Sequence, residues 1–171
     1  MHNRAMGFCY FSNVALAALD VLKNGVERVG IWDFDAHHGN GTEDIVANNP
    51  NVLFASVHQS PAYPGTGLTS FKNIHNFPVR PLTRRSEHVN VVEKAFQELL
   101  AFKPDLLLVS AGFDAFRADP ITQMTLESED FATFGKWLRE SRIRAAAILE
   151  GGYSNDLPEL VDAFLTSWDG Q

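Results

Sequence analysis

The chain has 171 residues, 45% hydrophobic and 20% charged, which suits one domain with a buried core and excludes a disordered polymer. With 14 Lys and Arg against 21 Asp and Glu, its formal charge of -7 is opposite to the basic stripe of a direct nucleic-acid binder. Cys9 is the single cysteine, which rules out a disulfide framework, and no apolar run reaches the ~18 residues of a membrane span. The opening Met1-His2-Asn3-Arg4 lacks the layout of a signal peptide, so a soluble, reducing, cytoplasmic setting is expected.

Short apolar runs alternate with longer segments of helical period, and this alternation predicts an α/β fold with a parallel-sheet core flanked by helices. The first helix is expected over 12–23, with Val14, Leu16, Ala17, Leu19 and Val21 as its apolar content and Gly25 as its stop. Residues 28–34 read as a buried strand, 42–47 as a short helix stopped by Asn48-Asn49-Pro50, and 52–57 as a second strand. The stretch 60–82, rich in proline and glycine, reads as a long loop of the kind that often carries function. A helix over 86–102 turns Val89, Val92, Ala95, Phe96 and Leu99 inward. Strands are then expected at 105–110 and 145–149, and helices at 127–139 and 157–167.

The polar and glycine-rich residues gather where these strands end. Asp33, Asp35, His37 and His38 close the first strand, and Ser56 and His58 close the second. Asp114 follows the third strand, and Glu150-Gly151-Gly152-Tyr153 follows the fourth. In a parallel α/β sheet those ends form one edge, where ligands bind. Asp35 and His37 stand two residues apart at a strand end, so both side chains can turn toward one point. A carboxylate oxygen and an imidazole nitrogen suit a catalytic metal that takes a third protein ligand and keeps an open position. Asp114 is the natural third ligand, leaving a neighbouring strand at the same edge. This donor set does not by itself separate zinc from iron, cobalt or manganese.

Asp33-Phe34-Asp35-Ala36-His37-His38-Gly39-Asn40-Gly41-Thr42 resembles the metal motif of histone deacetylases and their bacterial relatives. Gly7-Phe8-Cys9-Tyr10-Phe11, Pro64-Gly65-Thr66-Gly67, Ala111-Gly112-Phe113-Asp114 with Asp119-Pro120, and Glu150-Gly151-Gly152-Tyr153 match further blocks of that family in the same order. Asn40 and the Leu149-Glu150-Gly151-Gly152-Tyr153 run point to the class II-like branch that includes acetylpolyamine amidohydrolases. The resemblance implies an arginase/deacetylase-like fold, here a single partial domain over 1–171 that lacks the N-terminal part of the family fold.

It also implies a zinc-dependent amidohydrolase that removes acetyl groups from lysine side chains of a peptide or from an acetylpolyamine. Asp35, His37 and Asp114 would hold the zinc. Tyr153 would donate a hydrogen bond to the oxyanion formed when water attacks the acetyl carbonyl. Gly7, Phe8, Tyr63 and Gly152 would line a narrow channel for the acyl-lysine or acyl-polyamine stem, the Gly7 carbonyl accepting the substrate amide hydrogen. Asp33, Asp35 and Ser56, with the main-chain carbonyls of His37 and Val57, match a structural monovalent-cation site, usually potassium. His38 has a packed, hydrogen-bonded reading, and His58, His75 and His88 are assigned structural or surface roles. Arg84 and Arg85 are expected on a solvated loop face or lining the rim.

Family members are longer and carry a tandem histidine pair, a general base with its electrostatic partner, just upstream of the Gly-Phe-Cys-Tyr block. By that spacing the pair falls before Met1, and His2 stands at the wrong position to replace it. A second reading is therefore a catalytically impaired module that holds metal and acyl ligand. A third, an arginase-like hydrolase around two manganese ions, needs further bridging carboxylates beyond the single ligand set seen here.

Overall fold

Five strands cross the computed structural model, which describes residues 1 and 3–170: β1 (Val29–Asp33), β2 (Val52–Gln59), β3 (Ile74–Val79), β4 (Leu106–Ala111) and β5 (Ala145–Leu149). All pairings are parallel and the order is β3-β2-β1-β4-β5. β1 and β2 are buried along their whole length, as strands covered by helices on both faces must be. His2 lies outside the described residues.

Alternation along the strands sends side chains to two separate apolar layers. Ile31, Phe54, Ile74 and Leu108 face Val14, Ala15 and Ala18 of α1 (Asn13–Lys23) and Val46 of α2 (Asn40–Val46). Trp32, Leu53, Ala55, Leu107 and Val109 face the other way. There they meet Phe96 and Leu99 of α3 (Arg85–Phe102), Phe131 and Phe134 of α4 (Ser128–Ser141), and Phe164 of α5 (Leu157–Asp169). That second layer is an aromatic cluster in which the Trp32 ring lies 4.5 Å from Phe96 and the Phe113 ring 5.0 Å from Phe131, centroid to centroid. Edge and tilted contacts of this kind add about 0.5–1.5 kcal/mol per pair to the burial itself.

The segment expected as one loop over 60–82 contains β3. Its mixed His-Asn-Phe-Pro sequence hides the strand, because it lies at the edge of the sheet with an alternating burial pattern. Pro78 is tolerated there, since an edge strand has a side on which no N–H is needed. Arg85 is likewise not on a loop face. It opens α3 and binds Asp130 at 2.6 Å and Glu129 at 3.1 Å, joining α3 to the start of α4. Asp130 also completes a capping box with Glu127, its carboxylate accepting the Glu127 main-chain N–H at 2.8 Å.

α4 and α5 approach so closely that a Cβ on Gly135 would collide with the Phe164 carbonyl oxygen and come within 3.1 Å of the Trp168 nitrogen. In an open helix Gly→Ala stabilises by about 0.5–1 kcal/mol. Here Gly135→Ala is expected to have the opposite sign, destabilising by about 1–3 kcal/mol through overpacking. A lowered urea midpoint at unchanged m-value checks it.

Candidate functional site

The carboxyl ends of β1, β4 and β5 bring together residues far apart in the chain. Register places Asp33 beside both Ser56 of β2 and Ser110 of β4, and Ala111 beside Leu149. Just beyond those positions the chain turns, and Asp35, His37 and Asp114 come together. Their donor atoms lie within 4.8 Å of one another, with His37 Nδ1 2.7 Å from Asp114 Oδ2 and 3.4 Å from Asp35 Oδ1. Main-chain donors hold the acids in place. Ala36 N–H donates to Asp114 Oδ1 at 2.7 Å, His37 N–H to Asp35 Oδ1 at 2.8 Å, and Gly151 N–H to Asp35 Oδ2 at 2.7 Å.

Two glycines make this proximity possible. A Cβ on Gly112 would collide with Asp35, and one on Gly151 would lie 2.5 Å from Asp114 Oδ2 and 2.6 Å from Asp35 Oδ2. Any side chain at either position would push the carboxylates apart.

The charge balance is one-sided. Asp33, Asp114 and Glu150 all have carboxyls raised above the usual range, first by burial and then by repulsion from Asp35. For Asp114 the value reaches about 7. His37 is pushed up to about 10 by its hydrogen bonds to Asp114 and Asp35. His58, buried nearby, is held at about 4 by desolvation and supplies no compensating charge. Four acids facing one imidazole form a donor set that a bound cation would neutralise, and two carboxylates with one imidazole fit a divalent metal.

Tyr153 stands beside this cluster at the end of the Glu150-Gly151-Gly152 turn. Burial, then the charges of Asp35 and Asp114, raise its phenol to about 12, so it remains a hydrogen-bond donor at neutral pH. Its loop is tied by Asp119, whose Oδ2 accepts Tyr153 N–H at 2.8 Å while Oδ1 accepts Ile121 N–H at 3.0 Å. The Phe8 ring meets the Tyr153 ring edge-on at 6.1 Å, and Gly7 lies against Tyr63, 3.9 Å from where a Cβ would be. Phe8 is 87% exposed, so this aromatic wall is open to solvent. Gly152 lies deeper in the turn, where a Cβ would lie 2.6 Å from Leu157 and 3.3 Å from the Phe113 side chain.

Behind the cluster, Asp33, Ser56 and Val57 are buried, and the Ser56 hydroxyl bonds the Asp33 carboxylate and His58 Nδ1, the latter at 3.0 Å. His38 has both ring nitrogens committed, to Thr66 at 2.7 Å and Glu43 at 3.0 Å, which is the packed role expected of it. His75 bonds Glu98 at 2.5 Å on the surface, and His88 is buried in α3. Two contributors went unassigned in the sequence. Asp119 anchors the tyrosine loop, and Glu150 adds a fourth acid, its carboxylate accepting from Ser110 Oγ at 3.2 Å. Both lie inside family-like blocks, but only the folded chain shows what they touch.

Residues 1–167 match the histone deacetylase domain. The chain belongs to the histone deacetylase family. An uncharacterized protein of Synechocystis is 44% identical, the match covering 94% of this chain and 54% of that one. A probable deacetylase of Methanothermobacter thermautotrophicus is 36% identical over 99% of this chain and 55% of its own length. Among solved structures, the acetylpolyamine aminohydrolase of Burkholderia pseudomallei superimposes with a TM-score of 0.89 at 30% identity, over 97% of this chain and 52% of that one. The fold is thus the arginase/deacetylase-like one expected, and the chain spans about half the length of the curated relatives it matches.

Linkage fixes the sign of a pH effect on the metal-free chain. His37 has a folded pKa above its ordinary 6.5, so its contribution is complete below that value and is lost as pH rises toward about 10. The urea midpoint of metal-free protein is expected to fall between pH 7 and about 9.5, and His37→Ala to flatten that fall. A wild-type profile that rises across this window would contradict the assignment.

Proposed function

We propose that this chain, read as one partial domain, carries the metal centre of a zinc-dependent amidohydrolase that removes acetyl groups from acetyl-lysine peptides or acetylpolyamines. The observation that carries the reading is the convergence of Asp35, His37 and Asp114 beside the Tyr153 hydroxyl in a chain of the deacetylase family. Asp35, His37 and Asp114 would hold the metal through two carboxylate oxygens and one imidazole nitrogen. When bound, such an ion supplies Lewis-acid polarisation of the acetyl carbonyl and makes hydroxide available near neutral pH.

The chain's own residues do the rest. Tyr153 keeps its proton and donates to the oxygen on which negative charge develops, while Asp119 fixes the main chain of its loop. Phe8 and Tyr63 flank the approach to the acids with apolar surface suited to a methylene stem, and the adjoining Gly7 carbonyl is the acceptor for the substrate amide. Gly152 lets the tyrosine turn sit close on Leu157 and Phe113, where a side chain would collide. The excess of acids at the edge favours a substrate with cationic amines.

A structural potassium ion is proposed for Asp33, Asp35 and Ser56 with the carbonyls of His37 and Val57. It is supported by the buried, charge-starved Asp33 carboxyl. The free thiol of Cys9 suits a reducing cytoplasm, and the net charge of -7 disfavours direct contact with nucleic acid. Among the described residues no helix is long and apolar enough to cross a membrane.

A second reading is a module that binds metal and acyl ligand without turnover. It is favoured by the ring nitrogens of His38 and His58, which are engaged by Thr66, Glu43, Ser56 and the Gly67 carbonyl. A positioned base is worth about 10²–10⁴-fold in rate.

Two substitutions separate the roles. Asp114→Ala is expected to abolish stoichiometric zinc binding measured on dialysed protein. Tyr153→Phe should retain zinc while acetate release from an acetyl-lysine peptide or acetylpolyamine slows by about 10²–10³-fold. Zinc-loaded protein that binds substrate without releasing acetate would favour the second reading.

A further inference from the structure

The loop that carries Tyr63 covers little apolar surface. None of residues 61–69 is buried, and Tyr63 itself is 56% exposed. Polar anchors therefore decide where this loop sits. The chain leaves β2 with Ser60 N–H donating to Val79 C=O at 2.8 Å, then turns tightly, Gly65 N–H donating to Ala62 C=O at 2.8 Å. Beyond the turn three buried side chains take hold of it. Thr66 Oγ1 bonds His38 Nδ1 at 2.7 Å, Gly67 C=O bonds His58 Nε2 at 3.0 Å, and Thr69 C=O accepts from Asn76 Nδ2 at 3.1 Å.

Two of these anchors end on one atom. Glu43, in the first turn of α2, has its Oε2 3.0 Å from His38 Nε2 and accepts from Asn76 Nδ2 at 2.8 Å. Burial pushes the Glu43 carboxyl up, but its hydrogen bonds to His38 and Asn76 more than offset this and hold it below the usual value. A carboxylate has no hydrogen to give, so His38 Nε2 is the N–H, and Nδ1 of the neutral ring is left to accept the Thr66 hydroxyl. Glu43 thereby fixes the tautomer of the ring that reaches the loop. The fit is close. The His38 and His58 rings lie 4.6 Å apart, centroid to centroid, and a Cβ on Gly67 would come within 2.5 Å of His38 and 2.6 Å of His58.

We propose that Glu43 is a positioning residue for the acyl channel, holding the Tyr63 loop in place through His38 to Thr66 and through Asn76 to Thr69. The inference rests on the reading of Tyr63 as a channel wall. Tyr63 lines the same cavity as Asp35 and His37, whereas Glu43 does not line it and acts through the loop. His38 follows His37 directly, so the turn that presents the imidazole donor also carries the tether to the wall. Wall and donor cluster are thus held as one unit, and every member of the tether lies between His38 and Asn76. Loss of the tether loosens the grip on the substrate stem equally in the ground state and the transition state, so the effect falls on KM and not on kcat.

Hydrogen–deuterium exchange over residues 61–69 of the 171-residue chain, set beside KM for an acetyl-lysine peptide with zinc present, tests this. Thr66→Val removes a hydroxyl from an exposed position. It should speed exchange in the loop and raise KM, or the peptide Kd where turnover is absent, by roughly three- to tenfold, the range of one lost hydrogen bond. Zinc stoichiometry should not change, and Thr66→Ser should behave as wild type. Glu43→Ala should reproduce the effect, while Glu43→Gln, whose amide oxygen still accepts, should restore most of it. Because both residues act through His38, the Glu43→Ala/Thr66→Val double variant should show less than the product of the single effects. Unchanged exchange in Thr66→Val, faster exchange with unchanged KM and Kd, or a fully multiplicative double variant would each overturn the proposal. A wild type that neither binds nor cleaves the acetyl substrate would overturn the deacetylase reading instead, and exchange alone would then decide the tether.

Discussion

The crowding of Asp33, Asp35, Asp114 and Glu150 at one end of the sheet is the constraint around which the rest of the structure is arranged. Carboxylates brought together out of water repel one another and lose hydration, so they persist only where donors and cations are supplied. This chain supplies main-chain N–H groups from Ala36, His37 and Gly151, the single imidazole of His37, and glycines at 112 and 151 where no side chain fits. The remaining negative charge makes the site a cation receptor. The same arrangement keeps Tyr153 protonated beside it.

Such a site needs a rigid foundation, and the aromatic layer beneath it supplies one. Phe34 and Phe113 lie one residue before Asp35 and Asp114, and both rings are buried among Phe131, Phe134 and Phe164. Each acid is therefore anchored through its neighbour in the core. Close packing of α4 on α5 at Gly135 locks the helices that hold those rings. Core and site are alternate residues of the same strand ends, so loosening one would displace the other.

Much of the fold was legible because helical and strand periods are local. The helices at 86–102 and 157–167 and four of the five strands lie where apolar spacing put them, within a residue or two. β3 was not legible, since an edge strand has neither a continuous apolar run nor a need for every N–H, and Pro78 reads as a breaker. Leu16 and Leu19, counted in the apolar content of α1, are exposed, because an apolar residue in a helical period need not lie on the covered face. Arg85 read as a loop residue, and its partners on α4 are 44 and 45 positions away.

The candidate site divides the same way. The sequence by itself determined its chemistry: which residues are acids, which imidazole stands two positions from Asp35, and that each group follows an apolar strand. Those are properties of short segments, written within a few residues of each strand end. Only the tertiary structure decided that Asp114 meets His37, that Asp119 holds the Tyr153 loop, and that Glu150 joins the acids. Each depends on strand order and register, which are settled by the packing of two apolar layers over the whole sheet and not by any local pattern.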